Sequence, residues 1–187
     1  GHLAGLIEAY FGNGSRLGLD ITYIREFEPL GTAGALSLID DWRGDESWLV
    51  MNGDLLTDVD YRAFVANYYT SGADLQIGTY ERNEQVDLGV LDVDDGGRVT
   101  GYREKPRHTY LVSMGIYMLS RKAIALVPKG RFDMPQLVQG ALERSWTIAA
   151  HRHGGLWLDI GRADDHRRAV ELVESRPGYF FDRASVQ

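Results

Sequence analysis

Two short apolar runs, SWLVMNGD at 47–54 and GLWLD at 155–159, each end in an aspartate, and several segments between them carry helical spacing. That alternation constrains the fold more than anything else in the chain. An apolar run of this length with a polar tip predicts a buried strand, and strands alternating with helices predict an α/β layered domain with a mostly parallel sheet. Helical spacing predicts helices over 2–11, 59–72, 121–128, 134–145 and 162–175, and a short one follows the turn within 28–44. Strands are predicted at 19–27, 73–82, 87–94, 97–106 and 111–120, with two strand pieces in 147–161. Asp94-Asp95-Gly96-Gly97 predicts a hairpin turn, an antiparallel excursion in the middle of the chain.

In open α/β sheets, ligands gather where strands end. Three places stand out on that rule: the tip of LVMNGD, the turn PLGTAG and the tip of LWLDIG. Another glycine-rich stretch, FGNGSRLG at 11–18, has the wrong context for a phosphate loop, because it follows a helix and precedes a strand. Gly12 and Gly14 read instead as helix-ending residues.

Asp54 and Asp159, brought together from separate strand tips, would make an oxygen-rich site suited to Mg²⁺. Taken singly, each reads as an Asx-turn or cap residue, with Asp54 opening the turn before the next helix, and the pair informs only together with the other motifs. A separation beyond roughly 10 Å would exclude a shared ion. GYREKP sets Glu104 and Lys105 before Pro106, which imposes an extended or turn geometry on Lys105. A carboxylate suits sugar hydroxyls and an ammonium suits a phosphate, although a solvated edge strand explains the charges as well. PLGTAG offers Gly31 and Gly34 for close backbone approach to a planar ring, with the Thr32 hydroxyl and nearby N–H groups at a helix start. A plain Pro-Gly turn with a Thr cap is its other reading. His151 and His153 read as surface or edge residues, because zinc needs three or four ligands.

Bulk properties narrow the partners. Among 187 residues, 20 basic against 27 acidic side chains give a net charge of −7, with no Lys/Arg cluster for nucleic acid or an anionic membrane. Cysteine is absent, which removes disulfides and fits a cytoplasmic location. No run has transmembrane length, and the first residues enter a helical pattern rather than a signal peptide.

EPLGTAGAL, VMNGDLLTDVD, GRVTGYREKP, SMGIYML and GLWLDIGRADDHRRA together resemble, in order and spacing, the sugar-1-phosphate nucleotidyltransferase family, in particular its mannose-1-phosphate guanylyltransferase-like branch. The likeness covers residues 3–175. It implies a three-layer α/β/α nucleotide-diphospho-sugar transferase (Rossmann-like) fold with a mixed sheet, forming a single catalytic domain over 1–187. It implies an enzyme that joins a nucleoside triphosphate to a hexose or heptose 1-phosphate and releases pyrophosphate, and it allows a homo-oligomer. By the same resemblance Asp54 and Asp159 hold Mg²⁺ and are catalytic with Lys105. Glu104 and Lys105 contact the sugar and its phosphate, with Gly89, Gly115 and Asn52 beside them. Pro29, Gly31, Thr32 and Gly34 lie against the nucleobase, and Glu26 reads its edge in preference to Glu28, which favours GTP. Two departures accompany this. Ser113-Met114 stands where relatives often carry Asn-Ala. The family's Gly-rich loop with its Arg and Lys lies outside these 187 residues, so the first βα unit is expected to be missing and residues 1–187 alone to be inactive. The alternative is a non-catalytic NDP-sugar-binding regulatory homologue without the triphosphate loop.

Overall fold

Short apolar runs become strands only where a neighbouring ladder accepts them, and the computed structural model, which describes residues 3–39 and 46–176, shows which runs found one. In chain order the elements are α1 (Ala4–Phe11), β1 (Ser47–Met51), β2 (Leu55–Thr57), α2 (Tyr61–Ser71), β3 (Leu75–Gln85), β4 (Gly89–Val93), β5 (Val99–Glu104), β6 (Arg107–Ser120), α3 (Arg121–Ile124), α4 (Met134–Glu143), β7 (Ile148–His153), β8 (Trp157–Asp159) and α5 (Ala163–Ser175). A four-stranded sheet runs in the order β1-β6-β3-β7, and β2-β8 and β4-β5 form two-stranded antiparallel sheets. This is the mixed α/β architecture that the resemblance implies, with the antiparallel excursion at β4-β5 that the hairpin turn predicts. Among the described residues no helix is long and apolar enough to cross a membrane.

The chain falls into two units: 1–50, 71–75 and 118–149 form the first, and 51–70, 76–117 and 150–187 the second. The first has its own core in Leu30, Ala33, Leu75, Leu119, Ile124 and Leu137. Its α1 stops where glycine allows it: the Gly12 N–H donates to Glu8 O at 2.8 Å with φ +56°, and Gly14 follows at φ +83°. The strand expected at 19–27 is not there. Its backbone finds no ladder; instead the Arg25 guanidinium donates twice to the Glu8 carboxylate (2.9 and 2.6 Å) and the Tyr23 hydroxyl to Gly12 O (2.6 Å), laying the segment along α1. After the turn at 29–34, a 3₁₀ helix spans Gly34–Leu38, and the rest of the expected helix, 40–44, lies outside the described residues. β1 is less buried than expected. It stands at the end of the sheet order, with Leu49 39% and Met51 44% exposed.

In the second unit, α2 packs Phe64 and Tyr68 inward, and Phe64→Ala there would cost about 3–5 kcal/mol. Its N-terminus is capped by Asp60, whose Oδ1 accepts from the N–H groups of Arg62 (2.9 Å) and Ala63 (3.0 Å). The expected hairpin is present: Asp94 Oδ1 accepts from Gly96 and Arg98, and Gly97 takes φ +78°. β7 is an edge strand, as expected for HRH, but neither histidine is a surface residue. His151 packs edge-on against Phe64, ring centroids 5.1 Å apart, and burial pushes its pKa below the ordinary value.

Candidate active site

β1 ends at Met51, and the chain turns through Asn52, Gly53 and Asp54 into β2. The Asn52 N–H donates to Gly115 O (2.9 Å), and the Asn52 carboxamide occupies the space a side chain on Gly115 would need, with Nδ2 2.7 Å from a Cβ there. Gly115 also has φ +74°, so no other residue fits easily. The resemblance sets this glycine beside the sugar site, and the space its missing side chain leaves is filled by Asn52. Beneath it the Trp157 indole donates to Met114 O (3.1 Å), tying β8 to β6.

β2 then pairs antiparallel with β8, setting Leu55 opposite Asp159, and the Ile160 N–H donates to Asp54 O at 2.9 Å. This two-strand tip brings the aspartates together. A Cβ on Gly161 would stand 3.0 Å from Asp54 Oδ2 and 3.1 Å from Asp159 Oδ1. The two oxygens therefore lie within about 6 Å of each other, inside the limit for sharing an ion. Asp159 Oδ1 also accepts from the Gly161 N–H (3.1 Å), so the turn role foreseen for it is real. Asp54 is no helix cap: three strand residues follow it, and Asp60 caps α2. Among the described residues no lysine or arginine pairs with either carboxylate. Two unneutralised carboxylates beside a glycine too small to fill the gap are a donor set that fits a hard divalent cation. Gly161 is the residue whose importance the sequence reading missed, though it stands in the LDIG motif.

The β4–β5 hairpin carries a second cluster. Gly89 pairs with Glu104, and the Tyr102 ring lies so close to Gly89 that a Cβ there would collide with its hydroxyl. That hydroxyl donates to Glu104 Oε2. The bond, with burial second, raises the tyrosine pKa above its ordinary value, so the group remains a donor at neutral pH. Lys105 follows at φ +44°, a left-handed conformation that is uncommon outside glycine and further disfavoured before Pro106. Strain of this kind gathers at functional sites. Among the described residues no carboxylate pairs with the Lys105 ammonium.

The turn at 29–34 belongs to the first unit. Three of its N–H groups are already engaged within the protein, where the sequence suggested N–H groups available to a ligand. The Thr32 N–H donates to Asp133 Oδ1 (2.9 Å), and those of Ala33 and Gly34 to Phe132 O (3.0 and 2.9 Å). The Thr32 hydroxyl accepts from the Met134 N–H (2.8 Å), capping α4 rather than its own helix. Gly31, at φ +80°, makes room for Phe132 O and the Asp133 carboxylate, and Gly34 for Gly130 O. Beside the turn is a cavity of about 390 Å³ lined by Phe27, Glu28, Leu30, Ser37, Leu38, Lys129 and Gly130. Glu28 lines it, whereas Glu26 is half-buried in the preceding segment.

Comparison with known proteins places this arrangement. The sequence is 31% identical over 174 residues to the D-glycero-alpha-D-manno-heptose 1-phosphate guanylyltransferase of Aneurinibacillus thermoaerophilus, covering 90% of this chain and 74% of that protein. It is 31% identical over 198 residues to the UTP–glucose-1-phosphate uridylyltransferase of a Synechocystis species, covering 94% of this chain and 50% of that protein. Among solved structures, HddC from Yersinia pseudotuberculosis matches with a TM-score of 0.67 at 28% identity, covering 90% of this chain and 73% of that one. The same protein complexed with GMP-PN matches at 0.66 and 26%, covering the same shares. The chain spans about half the length of most curated relatives it matches. Its fold is the α/β nucleotide-sugar transferase fold implied by the five motifs. The family model described as nucleotidyl transferase matches residues 2–176, and the chain belongs to that family.

Proposed function

We propose that this chain is the larger part of a sugar-1-phosphate nucleotidyltransferase, making an NDP-sugar from a nucleoside triphosphate and a hexose or heptose 1-phosphate with release of pyrophosphate. The observation that carries it is the pair of unneutralised carboxylates, Asp54 and Asp159, flanking Gly161. These two would hold Mg²⁺, which when bound neutralises charge on a transferring phosphoryl group. The sugar phosphate is ionised at neutral pH and is its own nucleophile, so in-line attack on the α-phosphorus calls for positioning rather than a strong base. Lys105 supplies a point charge for the sugar phosphate. Glu104, held by the Tyr102 hydroxyl on one oxygen, keeps the other to accept from a sugar hydroxyl. Gly89, Asn52 and Gly115 shape that region, and the turn from Pro29 through Gly31 and Thr32 to Gly34 supports the base. All these residues act within one catalytic domain.

For the base, the reading is GTP. A carboxylate at Glu26 is acceptor-only, and the guanine edge presents two adjacent N–H donors, whereas thymine and uracil present one donor between acceptors. Residues 1–187 assayed alone are expected to be inactive, because the Gly-rich loop with its Arg and Lys that the resemblance calls for is not among them. The test is pyrophosphate release by the full-length protein across GTP, dTTP and UTP, each with hexose and heptose 1-phosphates. Release with any pairing supports the reaction class, and preference for GTP supports the base assignment. Silence across the whole panel overturns the reading.

A further inference from the structure

β2 and β8 are three residues each, and a two-stranded ladder that short is marginal on its own. Both aspartates nevertheless depend on it, because Asp54 immediately precedes β2 and Asp159 ends β8. A polar knot closes the other end of the ladder. Asp58 Oδ1 accepts the Leu156 N–H (2.7 Å) and stands 3.0 Å from His153 Nε2. His153 Nε2 is also 3.0 Å from Leu156 O, a carbonyl that accepts from the Thr57 hydroxyl (2.7 Å) and the Asp58 N–H (3.3 Å). Gly155 has no side chain where the Asp58 carboxylate and the His153 ring close in. The two side chains are only 17% and 11% exposed, and the proposed chemistry uses neither.

We infer that Asp58 and His153 are positioning residues: by locking Leu156 against the end of β2 they fix the β2–β8 register and hence the spacing of the Asp54–Asp159 pair. A slip of one residue would turn Asp159 to the opposite face, and groups that orient ligands in this indirect way typically change metal affinity by about 10- to 100-fold. The inference rests on the reading of the aspartate pair as a cation site.

Its test uses Mn²⁺ alone as the probe, titrated into the full-length protein, with amide exchange measured at Ile160 (bonded to Asp54 O) and at Phe64 (bonded to Asp60 O). Asp58→Ala should weaken Mn²⁺ binding about 10- to 100-fold at a temperature where circular dichroism shows it folded. It should also speed exchange at Ile160 much more than at Phe64. Asp58→Asn keeps an oxygen for the Leu156 N–H and should recover most of the affinity. Unchanged Mn²⁺ affinity in Asp58→Ala, beside a clear loss in Asp54→Asn, overturns the positioning role and leaves the cation site standing. Absence of Mn²⁺ binding by the unmodified protein overturns the cation reading instead. The register claim is then decided by exchange: faster at Ile160 alone supports it, equal acceleration at both amides overturns it.

Discussion

The turn at 29–34 and the β2–β8 tip each combine glycine, backbone N–H groups and a carboxylate within a few ångströms, and they use these groups in opposite ways. At the turn, three successive N–H groups and a hydroxyl are all engaged, by Phe132 O, the Asp133 carboxylate and the Met134 N–H. At the tip, Asp159 takes one N–H from Gly161, and Asp54 has no cationic partner among the described residues. A region whose polar groups are satisfied internally holds a shape. A region that keeps charge unneutralised beside a vacant glycine position keeps capacity for a ligand. The two glycine-bearing tips look alike in sequence, yet at one the polar groups are engaged within the protein and at the other two carboxylates have no cationic partner among the described residues.

Substitutions can break that contrast, and the largest effects belong at the tip. Asp54→Asn and Asp159→Asn should each lower kcat by orders of magnitude with little change in Tm, measured at saturating Mg²⁺, because Asn keeps the volume and turn capacity while losing the charge. The double variant should be little worse than either single, as for residues acting as a unit. Near-normal turnover in both singles would return the aspartates to turn residues. Gly161→Ala comes next: its methyl would meet two carboxylate oxygens at 3.0 and 3.1 Å. It should reduce turnover about tenfold, with the main change in Mg²⁺ dependence rather than in Tm.

At the turn the same kind of change should act on stability instead. Gly31→Ala forces a side chain into a left-handed backbone against Phe132 O. It should cost about 1–3 kcal/mol by denaturant titration, and Asp133→Ala, which frees the Thr32 N–H, about 1–2 kcal/mol. If either instead abolished turnover in fully folded protein, the framework reading of the turn would fail. Glu26→Gln should narrow a GTP-over-UTP preference by about tenfold, one hydrogen-bond equivalent. Glu28→Gln, beside the cavity, serves as its comparison, and an effect confined to Glu28 would move the base reader two residues along.

The smallest expected effect is on pH. Burial lowers the His151 pKa below its ordinary value, so the unfolded state binds more protons as pH falls. Stability should be fully present above about pH 6.5 and decline as pH drops through the lowered folded value. His151→Leu should flatten the low-pH arm of a Tm-versus-pH curve, and an unchanged arm would remove His151 as its source.

Much of this was legible locally. Gly12 and Gly14 announce the end of α1, Asp94 to Gly97 announce a hairpin, and the spacing of Phe64 and Tyr68 announces α2; each depends on residues a few positions apart. What escaped depends on partners distant in the chain. Residues 19–27 alternate like a strand, but a strand exists only through a neighbour, and this segment's neighbour is a helix. β2 is three residues long, too short for a period to show. Capture of the turn N–H groups by Phe132 and Asp133 joins positions about a hundred residues apart, and no local pattern records it. Asp159 was readable as a strand end and Asp54 as the tip of an apolar run, although β1 stops three residues before Asp54; the small space at Gly161 between their carboxylates became visible only with β8 laid on β2.

The central claim is that Asp54 and Asp159 serve one cation together, and a crystal of the full-length protein grown with Mn²⁺ tests it most directly by anomalous scattering. The expected result is a single strong peak bonded to oxygens of both Asp54 and Asp159, absent in crystals of Asp54→Asn. A peak bonded to only one of the two aspartates, or no peak at the tip in well-ordered crystals, would contradict it.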